Sequence, residues 1–253
     1  MIQSPRASIS AGLSRLVASL LAPLVAPYCA VCRVERGDPV CPGCRRDFFD
    51  PDCLRCMMCG DRLWPGPVSI LSPVPQCGRC LAARPAFDRT IVLGDYAPPL
   101  DGMVTALKSG GRLDLARVFG QLLAERVGRH CAIECLLAVP LARSRQRQRG
   151  FNQSMEIARV VARHASTPLL RRALVRTGTG PPQQSLPLHA RRGNVKGAFR
   201  LRCALPIRCA AVVDDVMTSA ATLDEVAAVL KQAGVGHIIN LVVARTPPFP
   251  DRG

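Results

Sequence analysis

The segment Ala211-Val212-Val213-Asp214-Asp215-Val216-Met217-Thr218-Ser219-Ala220-Ala221-Thr222-Leu223 is apolar, then doubly acidic, then small and hydroxylated, then helical in pattern. Small residues let a backbone wrap closely round a phosphate, and the hydroxyls of Thr218, Ser219 and Thr222 can donate to it. The N-terminus of the following helix adds free N–H groups and the positive end of its dipole. Two adjacent carboxylates ahead of that loop can accept two neighbouring sugar hydroxyls. The segment therefore reads as a ribose-5-phosphate cradle at the end of a strand. It is not a Walker loop, which needs a Gly-Lys pair. The plainer alternative is an acidic helix cap at a strand end.

Working outward, the chain after Cys80 alternates strand and helix patterns. Residues 89–96 (RTIVLGDY), 134–141 (ECLLAVPL), 210–213 and 237–244 (HIINLVVA) read as strands. Residues 113–127, 151–164 and 222–233 carry helical apolar spacing. The alternation predicts an α/β domain with a parallel sheet, and such sheets bind ligands at the carboxyl ends of their strands. Arg143, Arg145, Arg147 and Arg149 alternate, so an extended segment would aim all four one way, towards a pyrophosphate or a nucleic-acid backbone.

Before this domain the cysteines crowd together. Nine of the thirteen lie between Cys29 and Cys80, as Cys29-x-x-Cys32, Cys41-x-x-Cys44, Cys53-x-x-Cys56-x-x-Cys59 and Cys77-x-x-Cys80. A C-x-x-C turn sets two thiolates on one side of a tetrahedral ion, and two turns complete a Cys₄ zinc site. Cys29, Cys32, Cys41 and Cys44 form one expected site, and Cys56, Cys59, Cys77 and Cys80 the other. Cys53 is surplus, because Cys59 followed by Gly60 makes the better knuckle, although a Cys53–Cys56 turn stays open. Gly43, Gly60 and Gly78 occupy expected knuckle turns. A metal would hold together so small and proline-rich a piece. A disulfide cluster and a redox dithiol are the competing readings. Cys131, Cys135, Cys203 and Cys209 sit in apolar contexts and read as small buried hydrophobes.

The 253-residue chain is 48% apolar, which excludes a largely disordered protein. Lys plus Arg number 34 against 18 acids, a formal charge of +16. Eight thiolates on two zinc ions would reduce this to about +12. The basic balance favours an anionic partner without choosing between a phosphate ester, DNA and RNA. The longest uncharged run, residues 16–32, has 17 residues and holds Pro23 and Pro27, too short for a membrane span. Arg15 ahead of an apolar run also has the form of an export signal. The free-thiol reading of the cysteines instead predicts the cytoplasm.

Further ordered motifs accompany these: Leu107-Lys108-Ser-Gly-Gly111, Val139-Pro140-Leu141, Arg147-Gln-Arg149-Gly150-Phe151-Asn152-Gln153, Gln183-x-x-Leu186, and Arg191-x-x-Asn194-Val195-x-Gly197-Ala198-Phe199. With the cysteine knuckles and the Asp-Asp loop, the chain from about Cys29 to Thr246 resembles the ComF family, competence-associated and amidophosphoribosyltransferase-like. The resemblance implies a double zinc ribbon over residues 27–84 and a type I phosphoribosyltransferase domain over 85–247. Residues 1–26 would be an N-terminal segment and 248–253 a tail.

It also implies binding of 5-phosphoribosyl-1-pyrophosphate with Mg²⁺, and displacement of pyrophosphate by a nucleophile, often a nitrogen. Asp214 and Asp215 would take the ribose hydroxyls, and Thr218, Ser219, Ala220, Ala221 and Thr222 the 5-phosphate. Pro140 to Arg143, with Arg149 and Asn152, would face pyrophosphate. Gln183, Arg191 and Asn194 would lie on a closing loop, and Lys108 would add charge; its plainer reading is a loop cation. The family has glycine where this chain has Ala220. A left-handed backbone there would cost an alanine about 1–3 kcal/mol, and a right-handed turn almost nothing.

Two classes of function follow. One is a phosphoribosyltransferase, or at least a binder of that sugar diphosphate. The other is a non-catalytic factor that handles single-stranded DNA during uptake, with DNA-uptake or recombination proteins as partners, using the zinc ribbons and basic face. An aromatic content of 4% is thin for stacking platforms on single strands. The four histidines fall in no metal spacing.

Overall fold

The computed structural model describes residues 27–49, 53–63, 74–128, 132–177 and 195–247. The chain divides after Asp47 into two compact units. In the first, the chain from Pro27 doubles back: Cys29 N–H donates to Glu35 O at 2.7 Å and Ala30 N–H to Pro39 O at 2.9 Å. Helix α1 (Pro42–Phe48) follows and carries Cys44.

The second unit contains α2 (Gly78–Ala82), β1 (Arg89–Asp95), α3 (Leu100–Ser109), α4 (Leu113–Val127), β2 (Cys135–Ala138), α5 (Arg143–Arg149) and α6 (Gln153–His164). It continues through β3 (Leu174–Arg176), β4 (Phe199–Leu201), β5 (Cys209–Met217), α7 (Ala221–Gln232) and β6 (His237–Arg245). Four strands form a parallel sheet in the order β1-β6-β5-β2, while β3 and β4 pair antiparallel. A parallel sheet covered on both faces needs strands that are apolar throughout. Ala210 to Val213 and Leu241 to Ala244 are fully buried, which meets that demand. The sequence reading of an α/β parallel-sheet domain is therefore what the chain adopts.

Two local expectations are corrected. Residues 143–149 are not extended but form α5, closed by Gly150 in the left-handed region (φ 78°). Arginine and glutamine favour helix, and glycine terminates it cheaply. Arginines two apart on a helix do not share a face, so the four cannot form one row; only those four apart are neighbours. Strand β2 is also shorter than 134–141, ending at Ala138, two residues ahead of Pro140, which has no N–H to continue a ladder. Among the scattered cysteines, Cys135 is buried, Cys203 is exposed and Cys209 is intermediate, so the buried reading holds for Cys135 alone. Cys131 lies outside the described residues.

Helices α4 and α6 press together at Gly120, where a Cβ would come within 2.4 Å of Val160 Cβ and 2.7 Å of its Cγ1. A Gly120→Val substitution should therefore cost about 1–3 kcal/mol through overpacking. A thermal melt checks this: the midpoint should fall by several degrees, and an unchanged midpoint would mean the helices are free to separate.

Candidate active site and metal centres

A cleft of about 270 Å³ opens at the carboxyl ends of the parallel strands. Its walls come from the ends of each of them: Tyr96 after β1, Val139 to Leu141 after β2, Asp214 to Leu223 from β5 into α7, and Thr246 after β6. Lys108, Arg145, Arg149, Gln153 and Arg176 complete the lining.

The acidic pair lies at its base. Asp214 is 9% exposed and Asp215 6%. Ser154 Oγ donates to Asp214 Oδ1 at 3.0 Å, and Asp215 N–H to the same oxygen at 2.9 Å. Gln153 Nε2 donates to Asp215 Oδ2 at 3.1 Å, and Lys108 Nζ stands 2.8 Å from that oxygen. Burial, and then the neighbouring Asp215 charge, push the Asp214 carboxyl up to about 8.

Opposite the acids stand cations. Arg145 and Arg149 are four apart on α5, hence on one face, and Arg176 comes from the end of β3. Burial pushes the Arg145 guanidinium below its ordinary value, with the charge of Arg149 acting the same way. Arg176 is lowered by burial and then by Arg145. Arg145 Nη2 and Arg176 Nε are buried without a hydrogen-bond partner. Crowded guanidiniums with unused donors are what an anion with several oxygens relieves.

The small hydroxylated loop spans Thr218 to Thr222, and α7 starts at Ala221. Ala220 has φ 65° and ψ −6°, so this position does take the left-handed geometry that favours glycine.

The cleft brings together Asp214, Asp215, Lys108, Arg149, Pro140 and the Thr218–Thr222 loop. Lys108 belongs to the last turn of α3, not to a free loop. Arg143 is exposed on α5 and does not line the cleft. Asn152 caps α6: its Oδ1 accepts from Met155 N–H at 3.3 Å and its Nδ2 donates to Val139 O at 3.0 Å. Its side chain braces the turn after β2, and Asn152 is not among the residues lining the cleft. Gln183, Arg191 and Asn194 lie outside the described residues. Sequence reasoning missed Gln153, Ser154 and Arg176 as site residues, and named Arg145 only within an extended arginine row. A helical reading of residues 143–149 would have paired Arg145 with Arg149; the others are joined only by the tertiary fold.

The cysteines form the two expected groups: Cys29, Cys32, Cys41 and Cys44, and Cys56, Cys59, Cys77 and Cys80. Within each, the Sγ atoms lie within 4.8 Å of one another. Cys32 to Cys41 is 3.9 Å and Cys59 to Cys77 is 3.6 Å. Tetrahedral zinc with 2.3 Å bonds requires sulfurs about 3.8 Å apart, so both donor sets fit the ion. Backbone N–H groups of Cys41 and Cys77 point at Cys29 Sγ (3.4 Å) and Cys56 Sγ (3.3 Å), as zinc knuckles require. Gly60 has a positive φ (72°), whereas Gly43 and Gly78 sit in helical turns, so only Gly60 makes the predicted bend. Cys53 stays outside the group, its thiol 3.9 Å from Leu54 O. Among the described residues no helix is long and apolar enough to cross a membrane.

No family model matches the chain. It is 33% identical over 176 residues to the DNA utilization protein YhgH of Escherichia coli O157:H7, covering 67% of this chain and 78% of that one. It is 31% identical over 172 residues to competence protein F of Haemophilus influenzae, covering 64% of this chain and 75% of that one. The crystal structure of TT1426 from Thermus thermophilus aligns at 18% identity and a TM-score of 0.34, over 55% of this chain and 86% of that one.

Because Asp214 releases its proton near pH 8 when folded and near 3.8 when unfolded, the folded state binds more protons between these values. Its contribution therefore makes stability fall as pH rises from about 4 to 8, with the full penalty above that. Asp214→Asn should melt above the wild type at pH 9, and the difference should vanish near pH 4. A pH-independent difference would show that the carboxyl is already ionised in the fold. Metal analysis should find two zinc ions per chain, falling to one in a Cys56→Ser, Cys59→Ser double variant.

Proposed function

The chain belongs to the ComF family, and from that premise we propose that its cleft binds 5-phosphoribosyl-1-pyrophosphate with Mg²⁺ and transfers the phosphoribosyl group to an acceptor, in the service of DNA utilization or uptake. The observation that carries the reading is the meeting, in one cleft at the strand ends, of an acid pair, a small hydroxylated loop at a helix N-terminus, and buried guanidiniums with free donors.

Each part has a task in pentosyl transfer. The loop from Thr218 to Thr222 grips the 5-phosphate. Asp214 and Asp215 accept from the two ribose hydroxyls, which fixes the ring and steadies the positive charge that grows on it. Lys108, released from Asp215 as the sugar enters, and Arg145, Arg149 and Arg176 receive the leaving pyrophosphate. The nucleophile bonds to the anomeric carbon as the bond from that carbon to the pyrophosphate oxygen breaks. Charge placement and orientation do this work, with no covalent enzyme intermediate. The carboxylates of Asp214 and Asp215 are the hard oxygen donors that would help hold Mg²⁺ brought in with the sugar diphosphate, and the ion would supply neutralisation of the diphosphate charge.

A second reading, single-stranded DNA binding, is favoured by a separate groove of about 350 Å³ lined by Arg159, Arg163 and Arg171. Its affinity should fall steeply with salt as phosphate contacts release counterions. A flat response removes the groove from consideration.

Calorimetric titration with 5-phosphoribosyl-1-pyrophosphate and Mg²⁺ should give saturable binding that Asp214→Asn combined with Asp215→Asn abolishes. Equal heats in both proteins overturn the assignment. Ala220→Gly should tighten that binding by about tenfold, equivalent to ~1.4 kcal/mol, by removing a methyl from the phosphate's approach, while relief of the backbone strain, already present without ligand, should appear as a higher melting midpoint. An unchanged constant would mean the alanine methyl never meets the phosphate.

A further inference from the structure

Arg245 is the last residue of β6 and is 3% exposed. Its guanidinium gathers oxygens from two quarters. Towards the second cysteine group, Nε donates to Cys59 O at 3.0 Å and lies 2.7 Å from Asp61 Oδ1. Towards the cleft loop, Nη1 donates to Met217 O at 2.9 Å, to Thr218 O, and to Thr246 O at 3.2 Å. Asp61 is itself 2% exposed and also pairs with Arg79. Its backbone closes the knuckle, with Cys56 N–H donating to Asp61 O at 2.7 Å. The knuckle cannot slide, because Gly60 is seated so close to β1 that a Cβ there would come within 2.3 Å of Val92 Cγ2.

The consequence for the loop follows from peptide geometry. In a planar trans peptide the C=O and the next N–H point in opposite directions. Pinning Met217 O and Thr218 O on Arg245 therefore turns the N–H groups of Thr218 and Ser219 away from it. Arg245 does not line the cleft, while Thr218 and Ser219 do. We infer that Arg245 is a positioning residue that couples the folded Cys56/Cys59/Cys77/Cys80 knuckle to the anion loop, holding the Thr218 and Ser219 amides ready for phosphate. A metal held at that cysteine group would then order the loop through the Cys59–Asp61 turn. The part concerning phosphate rests on the function proposed above; the part concerning loop order does not.

The test separates the two. Hydrogen exchange at the Asp224 and Thr246 amides, which donate to the loop carbonyls Ala220 O and Met217 O, followed by mass spectrometry on the full zinc-loaded chain, reads loop order without any ligand. Arg245→Gln should speed exchange there at least tenfold while zinc content stays at that of the wild type. Arg245→Lys, which keeps a charge but only one donor point, should give an intermediate value. Asp61→Asn leaves Arg245 and its bond to Cys59 O in place but removes the charge that pairs it with the knuckle, and should act in the same direction to a smaller extent. Wild-type exchange in both Arg245→Gln and Asp61→Asn overturns the coupling. If Arg245→Gln does not fold, Arg245→Lys and Asp61→Asn decide alone. Titration of the same proteins with 5-phosphoribosyl-1-pyrophosphate and Mg²⁺ should show at least tenfold weaker binding in the variants. Absence of binding to the wild type would remove the proposed ligand while leaving the exchange result to judge Arg245.

Discussion

Two carboxylates buried side by side at the end of a central strand set the terms for everything around them. An acid removed from water either keeps its proton, as burial inclines Asp214 to do, or needs hydrogen bonds and opposite charge in place of its hydration. Asp214 and Asp215 obtain these from three directions. The first turn of α6 supplies Gln153 and Ser154. The last turn of α3 supplies Lys108. The strand's own amides supply the rest. The partly positive start of α6 adds to this. A scaffold with only stability to gain would place apolar residues there, as it does along the rest of β5. Retaining two acids is a loss to the fold that a ligand with hydroxyls can return.

The same balance explains the cations. Among the described residues Lys108 is the positive group paired with the acids, whereas burial and then Arg149 lower Arg145, burial and then Arg145 lower Arg176, and both keep donors unused. The cleft lining thus carries positive charge beyond what its acids neutralise. A ligand that is neutral and hydroxylated in its middle and anionic at both ends matches this distribution: loop, acids, guanidiniums. That order is a property of where β5, α5 and β3 end, and it is independent of any single motif.

What was legible in the sequence was local. The C-x-x-C knuckles can be read because two residues of separation already fix two sulfurs on one side of an ion, and the strands because parallel sheets leave no polar alternation. The Asp-Asp loop can be read because strand, acids, loop and helix start follow one another without a break. What was not legible was assembled across the chain. Arg176 meets Arg145 only because β3 ends beside α5. Gln153 and Ser154 look like ordinary first-turn residues until α6 is laid against β5. The alternation of Arg143, Arg145, Arg147 and Arg149 misled because period-two spacing describes a strand only if the backbone is extended, and Gly150 closes a helix instead. Asn152, adjacent to these arginines, serves as a cap for the same reason.

The left-handed Ala220 shows how tightly the loop is specified. An alanine in that region is strained by about 1–2 kcal/mol, and such a conformation persists only where its surroundings dictate it. Here three constraints act on the ten residues from Met217 to Val226. The β5–β6 register fixes Met217 beside Arg245. Arg245 holds the carbonyls of Met217 and Thr218. On the far side, Leu223 and Val226 anchor α7 in the core at 1% and 0% exposure. Between a pinned start and a buried helix, the backbone has to reverse within Ser219 and Ala220, and a positive φ supplies the bend. The strain is therefore evidence that the loop's shape is imposed by the frame on either side of it. A glycine at residue 220 would relax the bend without changing its course.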